Sequence, residues 1–276
     1  MEFQDLLLIL LGFAVGTFGT LVGAGGGFIL VPVLLFLYPD KDPEKITAIS
    51  LFVVWANATS GSFAYGYHRR IDFRSGLWFA LATLPGAIAG AIVVGFIPRR
   101  TFDGIFAAVL TGIGLYLLLR HNSNAIHPPA TGWSVVRRRI TDRSGNNYFY
   151  SFQMWKGVAT SSVIGFVSSL LGIGGGVMHV PVMATVLHFP VHIAAATSQF
   201  VLAFMALEGT AVHVSTGALS WDRSLGQAGL LAVGAVFGAQ SGAWLSRRLH
   251  GGYIIRALAV ALVIVGFRLA LKAIQG

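Results

Sequence analysis

The sequence predicts an all-α polytopic membrane protein made of two homologous repeats of about four hydrophobic segments each, and three observations predict it. Hydrophobic residues make up 55% of the chain and charged residues 11%, against about 25% charged in an ordinary soluble domain; mean hydropathy is +0.74. Apolar runs occupy 6–37, 46–66, 74–97, 101–120, 154–187, 193–216, 224–246 and 252–272, and a helix crossing a bilayer needs about 17 to 25 such residues. The third observation is an internal match. "GTFGTLVGAGGGFILVP" (Gly16 to Pro32) lies over "GFVSSLLGIGGGVMHVP" (Gly165 to Pro181) without a gap, as a duplicated unit would.

The first run begins "MEFQD", without the basic start of a signal peptide, so it is expected to stay on the chain. At 6–37 it is too long for one unbroken crossing, and its glycines are expected to break the first helix of the repeat. The next run carries Thr47, Ser50, Asn57, Thr59 and Ser60. The third ends in "GAIAGA" from Gly86, a spacing of small residues suited to close helix packing, and the fourth follows the pair Arg99–Arg100. The second half repeats this order. "ATSQFV" (Ala196 to Val201) answers "AISLFV" (Ala48 to Val53), Gly209 answers Gly61, and "GAQSGA" from Gly238 precedes Arg247–Arg248. Three units follow: a first transmembrane repeat over 1–120, a polar linker over 121–153 and a second repeat over 154–276.

The linker ends any helix at Pro128–Pro129, and "RSGNN" between two β-prone runs predicts a small hairpin. Its arginines 137, 138, 139 and 143 place it in the cytoplasm by the positive-inside rule, with a weak attraction to anionic lipid headgroups. The same rule accounts for the net charge of +9 without nucleic acid. Two topologies stay open. If 6–37 makes one crossing, the halves share an orientation; if the glycines turn the chain back, the halves are inverted, with Arg69, Arg70, the linker, Arg247 and Arg248 inside. Lys/Arg counts balance the two equally. Broken segments at matching positions of two halves favour inversion.

Irregular backbone inside hydrocarbon is tolerated only where protein, water or ligand satisfies it. Glycine amides at a helix N-terminus form an anion site, because dipole and free N–H groups point at the ligand. Small-residue packing is the competing reading. Nucleotide readings fail: Gly23-x-Gly25 and Gly172-x-Gly174 lead to Phe28 and Val177 where the dinucleotide fingerprint needs glycine, and no Lys-Ser/Thr pair follows. The chain has no cysteine, which excludes disulfides and thiolate chemistry. His188 and His192 have metal-like spacing, but Pro190 divides them, and no metal or cofactor is expected.

With "GTLVGAGGGFILVPVL", "SSLLGIGGGVMHVPVM", the "TAISLF" and "ATSQFV" segments, the paired arginines and the polar linker, the whole chain resembles the sulfite exporter TauE/SafE family, also called the toluene sulfonate uptake permease family. The resemblance implies secondary transport of small sulfur-containing anions such as sulfite or organosulfonates, usually as export, across a bacterial inner membrane.

The candidate anion ligands are the amides of Gly25, Gly26, Gly27, Gly174, Gly175 and Gly176 and the neutral donors Ser50, Asn57, Ser198 and Gln199. Glu208 is the acidic residue deep in an apolar run, so it is expected to be protonated, paired with His179 or His213, or part of an ion path; these three are the proton-coupling candidates. Arg69, Arg70, Arg99, Arg100, Arg247 and Arg248, at segment ends, read as snorkelling anchors. Alanine at Gly26 or Gly175 is expected to weaken transport more than folding. A passive anion channel, a non-transporting assembly protein and a membrane-embedded enzyme are the rivals; the last lacks any nucleophile–base or metal-ligand constellation, so no catalytic residue is assigned.

Overall fold

The computed structural model describes residues 3–119, 132–219 and 223–275. Among them lie ten α-helices and one two-stranded hairpin. The first half contains α1 (Phe3–Val22), α2 (Gly27–Leu37), α3 (Pro43–Tyr67), α4 (Phe73–Val93) and α5 (Arg99–Leu119), with a 3-10 turn at Val94–Phe96. The hairpin strands are β1 (Val135–Thr141) and β2 (Asn147–Gln153). The second half contains α6 (Met154–Leu171), α7 (Gly176–Thr185), α8 (Val191–Ser215), α9 (Arg223–Ser246) and α10 (Gly251–Gln275). Eight helices are long and apolar enough to cross a membrane; α2 and α7 are short. At 1.5 Å per residue, eleven residues of α2 rise about 16 Å, half of a hydrocarbon core of about 30 Å. The proline stop at Pro128–Pro129 lies outside the described residues.

The long apolar run therefore breaks, and glycine conformation is the cause. Val22 is followed by Gly23 at φ +76°, and Leu171 by Gly172 at φ +68°, a left-handed geometry that a side chain disfavours and glycine adopts freely. The chain turns back within four residues and starts a half-helix. Pro43 in the first turn of α3 and Asp72 capping α4 through Ser75 N start the next helices where an N–H would otherwise be unpaired.

Contacts between small residues give the helix directions. Along α1 and α9, Gly12 lies against Leu231, Gly16 against Ala235 and Gly242 against Thr17, so these helices run parallel. Along α4 and α6, Gly86 meets Ser162 and Gly90 meets Phe166, again parallel. The central pair is antiparallel: Gly61 of α3 lies beside Gln199 of α8, and Gly209 beside Leu51. α5 and α10 are antiparallel too, with Gly114 against Ala259 and Val263, and Gly266 against Ala107 and Thr111. α2 returns towards the end from which α1 started, since Leu37 and Tyr38 share a surface recess with Gln4, Asp5 and Leu8. α1–α2 and α6–α7 are thus two helix–half-helix hairpins entering from opposite ends of the molecule. Large apolar side chains on the outer faces, Leu10, Phe63, Val163, Phe237 and Phe267 among them, stay exposed, as a lipid-facing surface requires.

The predicted hairpin is present, with Asp142 accepting from Ser144 N and Asn146 N to close its turn. It docks at the end of the molecule where α3 finishes. Arg70 pairs with Asp142 (2.9 Å) and Arg138 with Asp72 (3.2 Å), while Tyr150 and Phe152 pack with Phe79 and Phe189. Arg247 lines a recess with Tyr67 and His68 at the same end. Arg70 corrects one expectation. It is a buried ion-pair residue, 5% exposed, because the hairpin folds over it. Arg99 is also more than an anchor: it donates to the carbonyls of Leu35 (3.0 Å) and Lys41 (2.7 Å) and so caps the free end of α2.

Candidate functional site

The two hairpin tips meet at the crossing of α3 and α8. Val54 and Leu202 lie side by side there, against Gly25 and Gly174 alike. The tips touch through backbone: a Cβ at Gly27 would lie 2.7 Å from the carbonyl oxygens of both Gly172 and Ile173, and one at Gly176 would strike Gly23 O and Ala24. Only hydrogen at these positions allows the approach. Gly23 to Gly27 and Gly172 to Gly176 are all buried.

The turns share a bonding pattern. Ala24 N donates to Gly19 O and Ile173 N to Ser168 O; Leu30 N donates to Gly26 O and His179 N to Gly175 O. These bonds leave the amides of Gly26, Gly27 and Phe28 on one tip, and of Gly174, Gly175, Gly176 and Val177 on the other, without a protein acceptor among the described residues. They form the first turns of α2 and α7, where the peptide dipoles add partial positive charge.

The side chains singled out in sequence gather at these tips. Ser50 Oγ donates to Gly172 O (2.7 Å), Ser198 Oγ to Gly23 O (2.9 Å), and Asn57 Nδ2 to Gly25 O (3.2 Å). Gln199 Nε2 donates to Thr20 Oγ1 (2.8 Å). Their donors hold the tips: Ser50, Asn57 and Ser198 satisfy carbonyls that the broken helices leave open. Thr20 and Tyr65 belong to the same cluster, Tyr65 OH donating to Thr20 O at 2.8 Å, and sequence reasoning passed over both. Thr20's place in the internal match, beside the second half's Ser169, was the available signal.

Glu208 is not paired with a histidine. His213 is five residues along the same helix, about 140° around its axis, and His179 Nε2 sits 3.2 Å from Ser161 Oγ. Glu208 Oε2 has no hydrogen-bond partner among the described residues. No group of three potential metal ligands occurs among the described residues. Gly26 is also unsuited to the expected alanine probe. Its φ is +87° and a Cβ would lie 2.6 Å from Val15, so folding itself would suffer. At Gly175, where φ is −38°, the contact is with the His179 ring.

The family model for the sulfite exporter TauE/SafE matches residues 8–269, which run from within α1 to within α10 and include both hairpin tips. The chain belongs to the sulfite exporter TauE/SafE family. Among its relatives is the "Probable membrane transporter protein YunE" of Bacillus subtilis, 32% identical over 97% of this chain and 98% of the relative. The "Probable membrane transporter protein MJ0441" of Methanocaldococcus jannaschii is 24% identical over 96% and 97%, and a "Probable membrane transporter protein" of Xylella fastidiosa is 25% identical over 92% and 91%. No solved structure gives a significant match. Within the TauE/SafE family, this chain is a multi-pass membrane transporter and not an enzyme.

Proposed function

We propose that this transporter is a secondary carrier, in the export direction, of small sulfur-containing anions such as sulfite or organosulfonates, working by alternating access. One observation carries the reading: two half-helix N-termini, buried and facing the middle of the helix bundle from opposite ends, present amides with no protein acceptor among the described residues. An oxyanion supplies the missing acceptors without a fixed positive charge that would retain it. The halves 1–120 and 154–276 act as inverted repeats, a reading supported by the antiparallel pairs α3·α8 and α5·α10, and the 121–153 linker lies in the cytoplasm. Glu208 is the candidate for proton coupling, with His179 and His213 as further titratable groups within the bundle.

The test is flux of 35S-labelled sulfite and thiosulfate into proteoliposomes under an imposed pH gradient. Accumulation above the external concentration supports a coupled carrier. Equilibration without accumulation supports a passive channel, and no flux with any sulfur oxyanion removes the reading. If Glu208→Gln leaves proton-driven flux unchanged, Glu208 has no coupling role.

A further inference from the structure

The two tips share glycines but not polar surroundings. At the first, Thr20 Oγ1 donates to Asn57 Oδ1 (3.1 Å), Asn57 Nδ2 to Gly25 O, Gln199 Nε2 to Thr20 Oγ1 and Tyr65 OH to Thr20 O. Every one of these donors is engaged; Gln199 Oε1, an acceptor, is left over. In the internal match the corresponding residues of the second tip are Ser169 for Thr20, Met205 for Asn57, Leu51 for Gln199 and His213 for Tyr65. Met205 and Leu51 have no donor to offer. The imidazole of His213 is shorter than a phenol and makes no bond like that of Tyr65.

The second tip is consequently surrounded by unused polar groups. Among the described residues, Ser168 Oγ, Ser169 Oγ, Thr47 Oγ1 and both ring nitrogens of His213 have no partner, and all four residues are fully buried. Met205, Gly209 and His213 form one stripe of α8, and Ser169 of α6 and Thr47 of α3 lie beside it. Met205 borders Gly175, the residue before α7; one turn on, Ser169 Oγ is 3.3 Å from where a Cβ of Gly209 would sit. The α3–α8 register that sets Leu51 beside Gly209 puts Thr47 level with His213 a further turn along, and the Thr47 side chain abuts Gly172. His179 Nδ1, also unpartnered, is 2.8 Å from the Cβ position of Gly175. The nearest acidic group of α3, Glu44, lies one turn outward and is contacted by Thr216 Oγ1 at 3.4 Å. Backbone amides are free at both tips, but buried unpaired side-chain groups are costly and rare in proteins, and their concentration beside the second tip points to a ligand on that side.

Resting on the anion-carrier reading, we infer that the two tips are not equivalent: the small oxyanion binds at the second tip, to the α7 amides and to Ser169, Thr47 and His213, while the first tip is a fixed structural counterpart. The test uses the full-length protein in lipid nanodiscs, titrated with sulfite, thiosulfate and sulfoacetate while thermal unfolding is followed. Ser169→Ala and Thr47→Val remove hydroxyls that are unpaired without ligand, so their anion-free Tm should equal or exceed that of the parent. Their half-saturating anion concentration should rise about tenfold, the loss of one hydrogen bond to a charged group. Thr20→Val should do the reverse, lowering the anion-free Tm and leaving half-saturation within about twofold. A parent that responds to an anion while Ser169→Ala and Thr47→Val respond equally well, or while Thr20→Val loses as much affinity as they do, overturns the assignment alone. A parent unresponsive to all three anions removes the anion reading and the assignment with it.

Discussion

Asn57 shows how a single side chain supports a broken helix. Its amide group bridges two elements, donating to Gly25 O and accepting from Thr20 Oγ1, and the residue is fully buried. Leaving a buried carbonyl and hydroxyl unsatisfied costs about 1–3 kcal/mol each. Asn57→Ala should therefore lower stability by about 2–4 kcal/mol on the same basis, measured as a fall in the unfolding midpoint. An unchanged midpoint would show that the bridge does not hold the tip. Asn57 was recognisable in the sequence as a polar residue in an apolar run. Its partner was not, because Gly25 reaches it only after the chain has reversed at Gly23, and nothing near position 57 encodes that reversal.

Among the elements, the α1–α2 and α6–α7 hairpins were legible because glycine clusters leave few alternatives to a break, and the β-hairpin because "RSGNN" closes a tight turn. Its docking was not legible, since Arg70–Asp142 joins residues 72 positions apart. That pair is buried, with side-chain exposures of 6% and 1%, and losing one member of a buried pair typically costs about 3–5 kcal/mol. Burial alone would raise the Asp142 pKa, but hydrogen bonds from Asn146 and Arg70 outweigh it and hold the carboxyl below its ordinary value. Its contribution to stability is therefore complete above the unfolded carboxylate value of about 3.9 and is lost only as pH falls through the lower folded value. Asp142→Asn should free the hairpin for limited proteolysis within 132–153 at neutral pH, whereas the parent should stay protected from pH 8 down to pH 5. Equal cleavage of the two proteins would show that this pair does not hold the hairpin. Nearby, Tyr150 donates to Asp72 at 2.9 Å. Its phenol is pushed well above the ordinary value, by burial first and by the Asp72 charge second, so this contact also persists through that range.

For the whole molecule, composition alone identified a polytopic helical protein, and the internal match identified where its special geometry lies. What composition could not decide was whether 6–37 crosses once or turns back, because Lys/Arg counts are equal for both topologies. The contacts of α1, α2 and α3 place both ends of the first hairpin at one end of the molecule, and the antiparallel run of α3 and α8 follows from that reversal. The two hairpins enter from opposite ends of the molecule, and the proposed orientation puts the end carrying the β-hairpin and Arg247 on the cytoplasmic side. The cysteine-free sequence allows this to be measured directly with an impermeant thiol reagent on single-cysteine variants at Arg247, which follows α9, and Ser215, which ends α8. Arg247→Cys should label from the cytoplasmic face only and Ser215→Cys from the outer face only; the reverse pattern would rule out this orientation of the hairpins.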